Sequence, residues 1–291
     1  MEFPTALLLN AIIAGLLLGG FYAAVSVGIS ISFGMLDVVN IAHPAFIILG
    51  SYIAYIVNSQ YGFDPILVAL VLSPLFFLLG MALYRVYYVC FEMRGQESLR
   101  GLAFFFGILF ITEVVLILVF GVDYRTVKTV YADTTLRLGV VDFPLRLVVP
   151  FLVSMAMVVG IQLFLTHTFF GRAVLAVAQD QLALRLMGVN PIQIKARAFA
   201  LSIATAGVAG AFLIVIQPVE PSIGREYIGL VFAVCVLGGM GSIWGTLLGA
   251  FVLGLAESFT STFFGPSWAP AVSFGLLLFA LAFRPAGLLG R

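Results

Sequence analysis

Long apolar runs separated by short polar islands set the pattern of this chain. From Phe3 to Leu36 no residue is charged. A run of that length exceeds the ~20 apolar residues that one perpendicular crossing of a bilayer needs, and predicts a tilted helix or one followed by a buried turn. Asn40, His43 and Pro44 interrupt the pattern before a second run from Ala45 to Val57, and Pro44 suits the first turn of that helix. Further runs extend from Pro65 to about Tyr88, from Gly101 to Gly121 with Glu113 in its interior, from Leu147 to about Thr168, and from Ala198 to Val219. Tyr227 to Phe283 is uncharged apart from Glu257, but LGGMGSIWGTLLG breaks it with five glycines. That break predicts a short helix to about Val236, a glycine turn, and a new helix from about Ile243 to Phe263. A last span ends at Arg284 and Pro285. In the polar stretch from Gly121 to Leu147, the TVYAD and TLRLGVVDFP pieces are expected to form short strands. The fold class that follows is all-α: a polytopic transmembrane helical bundle of eight or nine spanning segments with broken helices, one domain over residues 1–291.

One polar island differs from the others. The stretch from Phe170 to Pro191 places Val174, Leu175, Ala178, Leu182, Leu186 and Met187 at helical spacing, with Gln179, Asp180, Gln181 and Arg185 on the other side. It therefore reads as a short amphipathic helix outside the membrane, stopped by Gly188, Val189, Asn190 and Pro191. Two roles suit such an element: a grip for a separate motor protein, or a helix lying in the lipid interface. Asp180 and Arg185 are five residues apart, so they do not face each other as an i, i+4 pair would. Each is expected to face a partner.

Composition fixes the solvent. Of the 291 residues, 63% are hydrophobic and 9% charged, with a mean hydropathy of +1.19. Soluble domains carry roughly 25% charged residues, so this chain lacks the polar surface to cover a globule in water. A net charge of +1 offers no electrostatic footprint for nucleic acid. Cys90 and Cys235 stand far apart, without a CxxC or a neighbouring His, and imply neither a disulfide framework nor a metal site. Met1 and Glu2 carry no basic region ahead of the first run, so that run is expected to be a retained span. Nine Lys and Arg fall on one set of connections (Arg85, Arg94, Arg100, Arg172, Arg185, Lys195, Arg197, Arg284, Arg291) and five on the other (Arg125, Lys128, Arg137, Arg146, Arg225). This bias places the Phe170–Pro191 island and the C-terminus in the cytoplasm.

Several residues inside or beside the spans are candidates for a translocation pathway: Asn40, His43, Gly238, Gly239, Gly241, Ser242 and Glu257. FGMLDVVNIAHPAFIILG and LGGMGSIWGTLLGAFVLG each place a glycine-containing break between apolar segments, and paired broken helices mark the substrate site in many transporters. Ionisable groups within spans are functional by default, which singles out Glu113 and Glu257. The alternatives are a packed, hydrogen-bonded His43, a Glu257 that bonds Ser258 or Thr260, and glycines that serve close helix packing. A secondary transporter or channel working without an ATPase, using Asp37, Glu113 and Glu257 as an ion relay, is the rival class. An intramembrane hydrolase has little support, because His167 belongs at a membrane boundary, far from Ser242.

Four short pieces then match a known family: Asn40-Ile41-Ala42-His43; Gly171-Arg172-Ala173 with Ala178-Gln179-Asp180 and Leu186-Met187-Gly188-Val189-Asn190; Leu237 to Gly245; and Phe283-Arg284-Pro285-Ala286-Gly287-Leu288. In this order they make the chain resemble the permease subunits of branched-chain amino acid ABC importers, the shorter of the two permease types. The resemblance implies half of a pore in a bacterial plasma (inner) membrane, working with a second permease subunit, identical or homologous, two cytoplasmic ATP-binding subunits and an external solute-binding protein. It implies that residues 172–190 form a coupling helix docking on an ATPase, with Arg172, Gln179, Asp180, Arg185, Gly188 and Asn190 as coupling positions. No cofactor is expected in this chain; ATP and Mg belong to the partner ATPases. The absence of any G-x-x-x-x-G-K-[ST] agrees with a non-enzymatic role here. The chain departs from the family pattern after Asn40–His43, with Pro44 and Ala45 where a glycine followed by an acid is usual.

Overall fold

The computed structural model describes residues 5–95, 98–139, 141–284 and 286–290. The expectations attached to Met1, Glu2, Pro285 and Arg291 lie outside them. Eleven α-helices run α1 (Thr5–Ser32), α2 (His43–Tyr61), α3 (Pro65–Cys90), α4 (Ser98–Phe120), α5 (Leu145–His167), α6 (Phe169–Gln179), α7 (Gln181–Leu186), α8 (Pro191–Ile216), α9 (Gly224–Gly238), α10 (Ile243–Phe263) and α11 (Ala269–Phe283). Among the described residues eight helical segments are long and apolar enough to cross a membrane; α2, 19 residues long, is not one of them. The described residues also contain one antiparallel hairpin, β1 (Thr135–Leu138) and β2 (Val141–Pro144), with Arg137 opposite Asp142 and their side chains 3.3 Å apart. TLRLGVVDFP is thus the strand-forming piece, whereas TVYAD lies in turns.

The helices form two shells. In α8, 89% of the most apolar window is buried within the protein, and in α1, 72%; the figure is 22% for α3, α4 and α5 and 11% for α11. The central pair is rich in Gly, Ala and Ser, which let backbones approach where lipid gives no hydrophobic drive for association. Gly15 and Gly19, one turn apart on α1, sit against the α10 backbone at Gly254, Leu255 and Phe251, and a Cβ at either would collide with main chain. Outer helices turn Leu, Val and Phe outward, as Leu118, Val71 and Leu78 do.

The bundle has two distinct ends. At one, Asp142 N–H donates to Asn10, Asn58 bonds Lys128, and Arg125 pairs with Val219; we call it the hairpin end. At the other lie α6, α7, the α9–α10 turn and residues 286–290, whose Leu288 and Leu289 amides donate to the Leu237 and Gly238 carbonyls at 2.8 and 2.9 Å.

Boundaries differ from the sequence reading for identifiable reasons. The helix after the polar island begins at Pro191 rather than Ala198, because Asn190 and Pro191 start it and its charged first turns still belong to the helix. The break after α1 buries Met35, Leu36, Val38 and Asn40 but exposes Asp37, which takes a left-handed conformation at φ 58°. His43 Nε2 reaches Val25 O at 3.0 Å, seven residues before the end of α1. By helix rise that is about 10 Å inside the bundle. The chain therefore turns back between α1 and α2 before climbing again.

Candidate functional site

The polar island folds as two helices, not the single amphipathic helix expected. Asp180 is extended, and its Oδ1 accepts from Leu182 N at 2.8 Å and Ala183 N at 3.0 Å, so it ends α6 and caps α7. The Gln179–Asp180–Gln181 polar cluster carried this signal, since an Asp followed by a short apolar-periodic stretch is an N-cap pattern. Every junction of the unit is closed. Thr168 Oγ1 accepts from Gly171 N at 3.0 Å and starts α6. At the exit, Val189 N donates to Leu184 O and Gly188 N to Arg185 O, both at 3.0 Å, with Gly188 at φ 77°. This Schellman geometry needs a left-handed residue, which glycine supplies without strain. Asn190 Oδ1 then accepts from Ile192 N at 3.0 Å and starts α8.

Val174, Val177 and Leu184 pin the unit to the bundle at 0%, 3% and 4% exposure. Leu182, Leu186 and Met187 point away at 66%, 82% and 69%. They stand among exposed Arg172, Gln179 and Arg185, beyond the ends of α5 and α8. A rigid ledge with a bare apolar face and a charged rim is the outcome. The Asp180 and Asn190 side chains are engaged within the chain as caps.

Beside it, Lys195 Nζ and Glu92 Oε1 form a buried ion pair at 2.7 Å, and Tyr84 OH donates to the other Glu92 oxygen at 2.7 Å. This pair ties the second turn of α8 to the α3–α4 connection. Sequence reading counted Lys195 only as a loop charge and passed over Glu92. Nothing local marks the pair, since 103 residues separate its members.

The pathway candidates separate into three places. Asn40 and His43 are fully buried at the α1–α2 break, where both Asn40 amide atoms, His43 Nδ1 and the Ser26, Ser30 and Ser202 hydroxyls have no hydrogen-bond partner among the described residues. Gly238, Gly239 and Gly241 lie in a seam of touching backbones, against Gly245, Gly290 and Gly34 respectively, so the two glycine-containing breaks noted in sequence abut each other. Ser242 caps α10 by accepting from Gly245 N at 3.1 Å.

Glu257 is elsewhere, toward the hairpin end. It is 6% exposed; Tyr22 OH donates to one carboxylate oxygen at 2.5 Å and Ser273 Oγ to the other. Its partners are thus on α1 and α11 rather than Ser258, which donates to Ala11 O, or Thr260, which donates to Ala256 O. Glu257 lines a cleft of ≈ 830 Å³ bounded by α1, α9, α10 and α11. Glu113 pairs with Arg225 at 3.0 Å, and Asp37 is exposed, so the three acids considered as a relay are not in contact with one another. His167 bonds Thr166 at the end of α5 and is exposed. Among the described residues no group of three or more His, Cys, Asp or Glu is placed to hold a metal ion.

Comparison with known proteins places this architecture. A family described as "Branched-chain amino acid transport system / permease component" matches residues 11–281. The chain is 30% identical to the high-affinity branched-chain amino acid transport system permease protein BraD of Pseudomonas aeruginosa, over 97% of this chain and 96% of that protein. It is 27% identical to LivH of Escherichia coli, covering 95% and 94%, and 28% identical to LivM of the same organism, covering 92% and 67%. No solved structure matches. With the match spanning nearly the whole bundle, the chain belongs to the family of permease components of branched-chain amino acid transport systems.

Proposed function

We propose that this chain forms half of a conduit that moves a branched-chain amino acid, or a related small amphipathic solute, across a bacterial plasma membrane in an ATP-driven importer. An external binding protein delivers the solute, a second permease supplies the other half of the path, and cytoplasmic ATPases grip α6–α7. One observation carries this reading: α7 exposes Leu182, Leu186 and Met187 on a unit whose ends are all capped. A rigid apolar ledge transmits displacement, whereas an unanchored helix would absorb it.

The transport systems to which the relatives belong support the solute class, and the match to both LivH and LivM of one organism supports a paired permease. The count of nine Lys and Arg against five supports a cytoplasmic location for α6–α7 and the C-terminus. The test is reconstitution with the co-purified ATPases. Uptake of leucine should require ATP inside the compartment holding α6–α7 and should persist when ion gradients are collapsed; uptake driven by an ion gradient alone would refute it. A lipid-lying α6–α7 would be revealed if the intact chain, extracted in mild detergent, carried no ATPase with it.

A further inference from the structure

The Glu257 cleft is absorbed neither by the coupling ledge nor by the glycine seam. We infer that it is a binding site for the ammonium group of a small amphipathic amine, seated on Glu257 with its apolar portion against Leu230 and Phe274. This deepens the proposed function and rests on it for the solute class.

Charge balance supplies the first argument. The cleft is lined by Glu226, Glu257 and Arg225, and the Arg225 guanidinium already faces the Glu113 carboxylate at 3.0 Å. Two acids and one arginine that is itself paired therefore line the cleft, which carries an excess of negative charge. A carboxylate within a span is costly unless something needs it there.

Geometry supplies the second. Tyr22 and Ser273, from different helices, each donate to one Glu257 oxygen and fix the carboxylate's orientation at the cleft wall. Each carboxylate oxygen has a second lone pair free for an ammonium donor, and the group accepts about four hydrogen bonds in all. Gln217 Nε2 donates to Tyr227 OH at 3.0 Å along the same wall, which fixes a second polar group. Beside these groups, Leu230, Ala269 and Phe274 give an apolar flank. The Arg225 side chain is 51% exposed, leaving donors for the carboxylate of a solute that has one. A polar floor, an apolar flank and excess acid together select an amphipathic cation or zwitterion over an anion.

The test measures binding to the full chain in nanodiscs by saturation-transfer NMR, with no ATPase required. The probes are L-leucine, isoamylamine (ammonium kept, carboxylate removed) and 4-methylpentanoate (carboxylate kept, ammonium removed). We expect leucine and isoamylamine to bind and compete, and 4-methylpentanoate to be at least ~10-fold weaker, the scale of one lost charge-assisted hydrogen bond. Equal binding of 4-methylpentanoate, or no binding of either amine, overturns the site. Glu257→Gln should weaken both amines ~10-fold, while Arg225→Gln should weaken leucine and spare isoamylamine; unchanged amine affinity in folded Glu257→Gln also overturns it. The analogue series is read on the native chain and decides the matter even if a variant does not fold. Amine binding without any ATPase association would leave the cleft standing and refute the importer, and the reverse result would do the opposite.

Discussion

The ledge at α6–α7 and the cleft at Glu257 break the same rule in opposite directions. At the ledge, apolar Leu182, Leu186 and Met187 are exposed beyond the spans, among charges. At the cleft, a carboxylate is buried at 6% exposure among apolar helices. Everything around each exception is satisfied: the ledge has all its helix ends capped, and Glu257 has a hydroxyl on each oxygen. An exception held in place by otherwise complete bonding is where a fold presents something to a partner. Under the proposed function the ledge would offer a surface to an ATPase, and under the further inference the cleft would offer a charge to a small molecule.

The Lys195–Glu92 pair is a control for this contrast, because it is a buried charge already answered within the chain. Lys195→Ala leaves Glu92 uncompensated and should destabilise the bundle by about 3–5 kcal/mol, seen as a large fall in the thermal midpoint in detergent. Glu257→Gln keeps an acceptor for Tyr22 or Ser273 and should lose about 1 kcal/mol or less. Equal losses from the two substitutions would make Glu257 a structural group and remove one side of the comparison.

Next in size is the ledge itself. Leu186→Asp should weaken ATPase association by about 2 kcal/mol or more, roughly 30-fold, as loss of an interface anchor does, while thermal stability stays unchanged because the side chain is 82% exposed. Co-purification against a fixed ATPase concentration measures it. An undiminished yield would show that the apolar face rests on lipid.

Smaller effects come from the caps. Gly188→Val meets no neighbouring atom but forces a β-branched residue to φ 77°. The left-handed conformation costs an L-residue about 1–2 kcal/mol, so α7 should lose its exit geometry. Membrane insertion should survive, and ATP hydrolysis should no longer track transport in vesicles. Asp180→Ala should cost about 1 kcal/mol, partially uncoupling transport, with the loss recovered by Asp180→Asn.

These residues also show what could be read in advance. The spans were legible because lipid demands long apolar runs, and Ile243–Phe263 emerges at the expected boundaries. Gly188 was legible as a stop because helix exits require a left-handed residue. The division at Asp180 was missed because its charge was assigned to a polar face, although the same atom serves as a cap. Partners of Glu257 were not legible, since Tyr22 is 235 residues away and no pattern along the chain announces such a meeting. For the same reason the two shells were invisible: α3 and α8 are similarly apolar, and only small residues distinguish the buried one.

The seam of α1 with α10 sets an order of events during biosynthesis. Gly15 and Gly19 find their counterpart at Gly254, and Ala11 O receives the Ser258 hydroxyl from 247 residues downstream. The glycine face of α1 must therefore wait in the bilayer until α10 has been made. Closure of this seam is a late, long-range contact. A lesion in α10 would leave that face of α1 open for good, while the contacts of Gly20 with Phe151 and of Gly28 with Ser202 still hold the helix to α5 and α8.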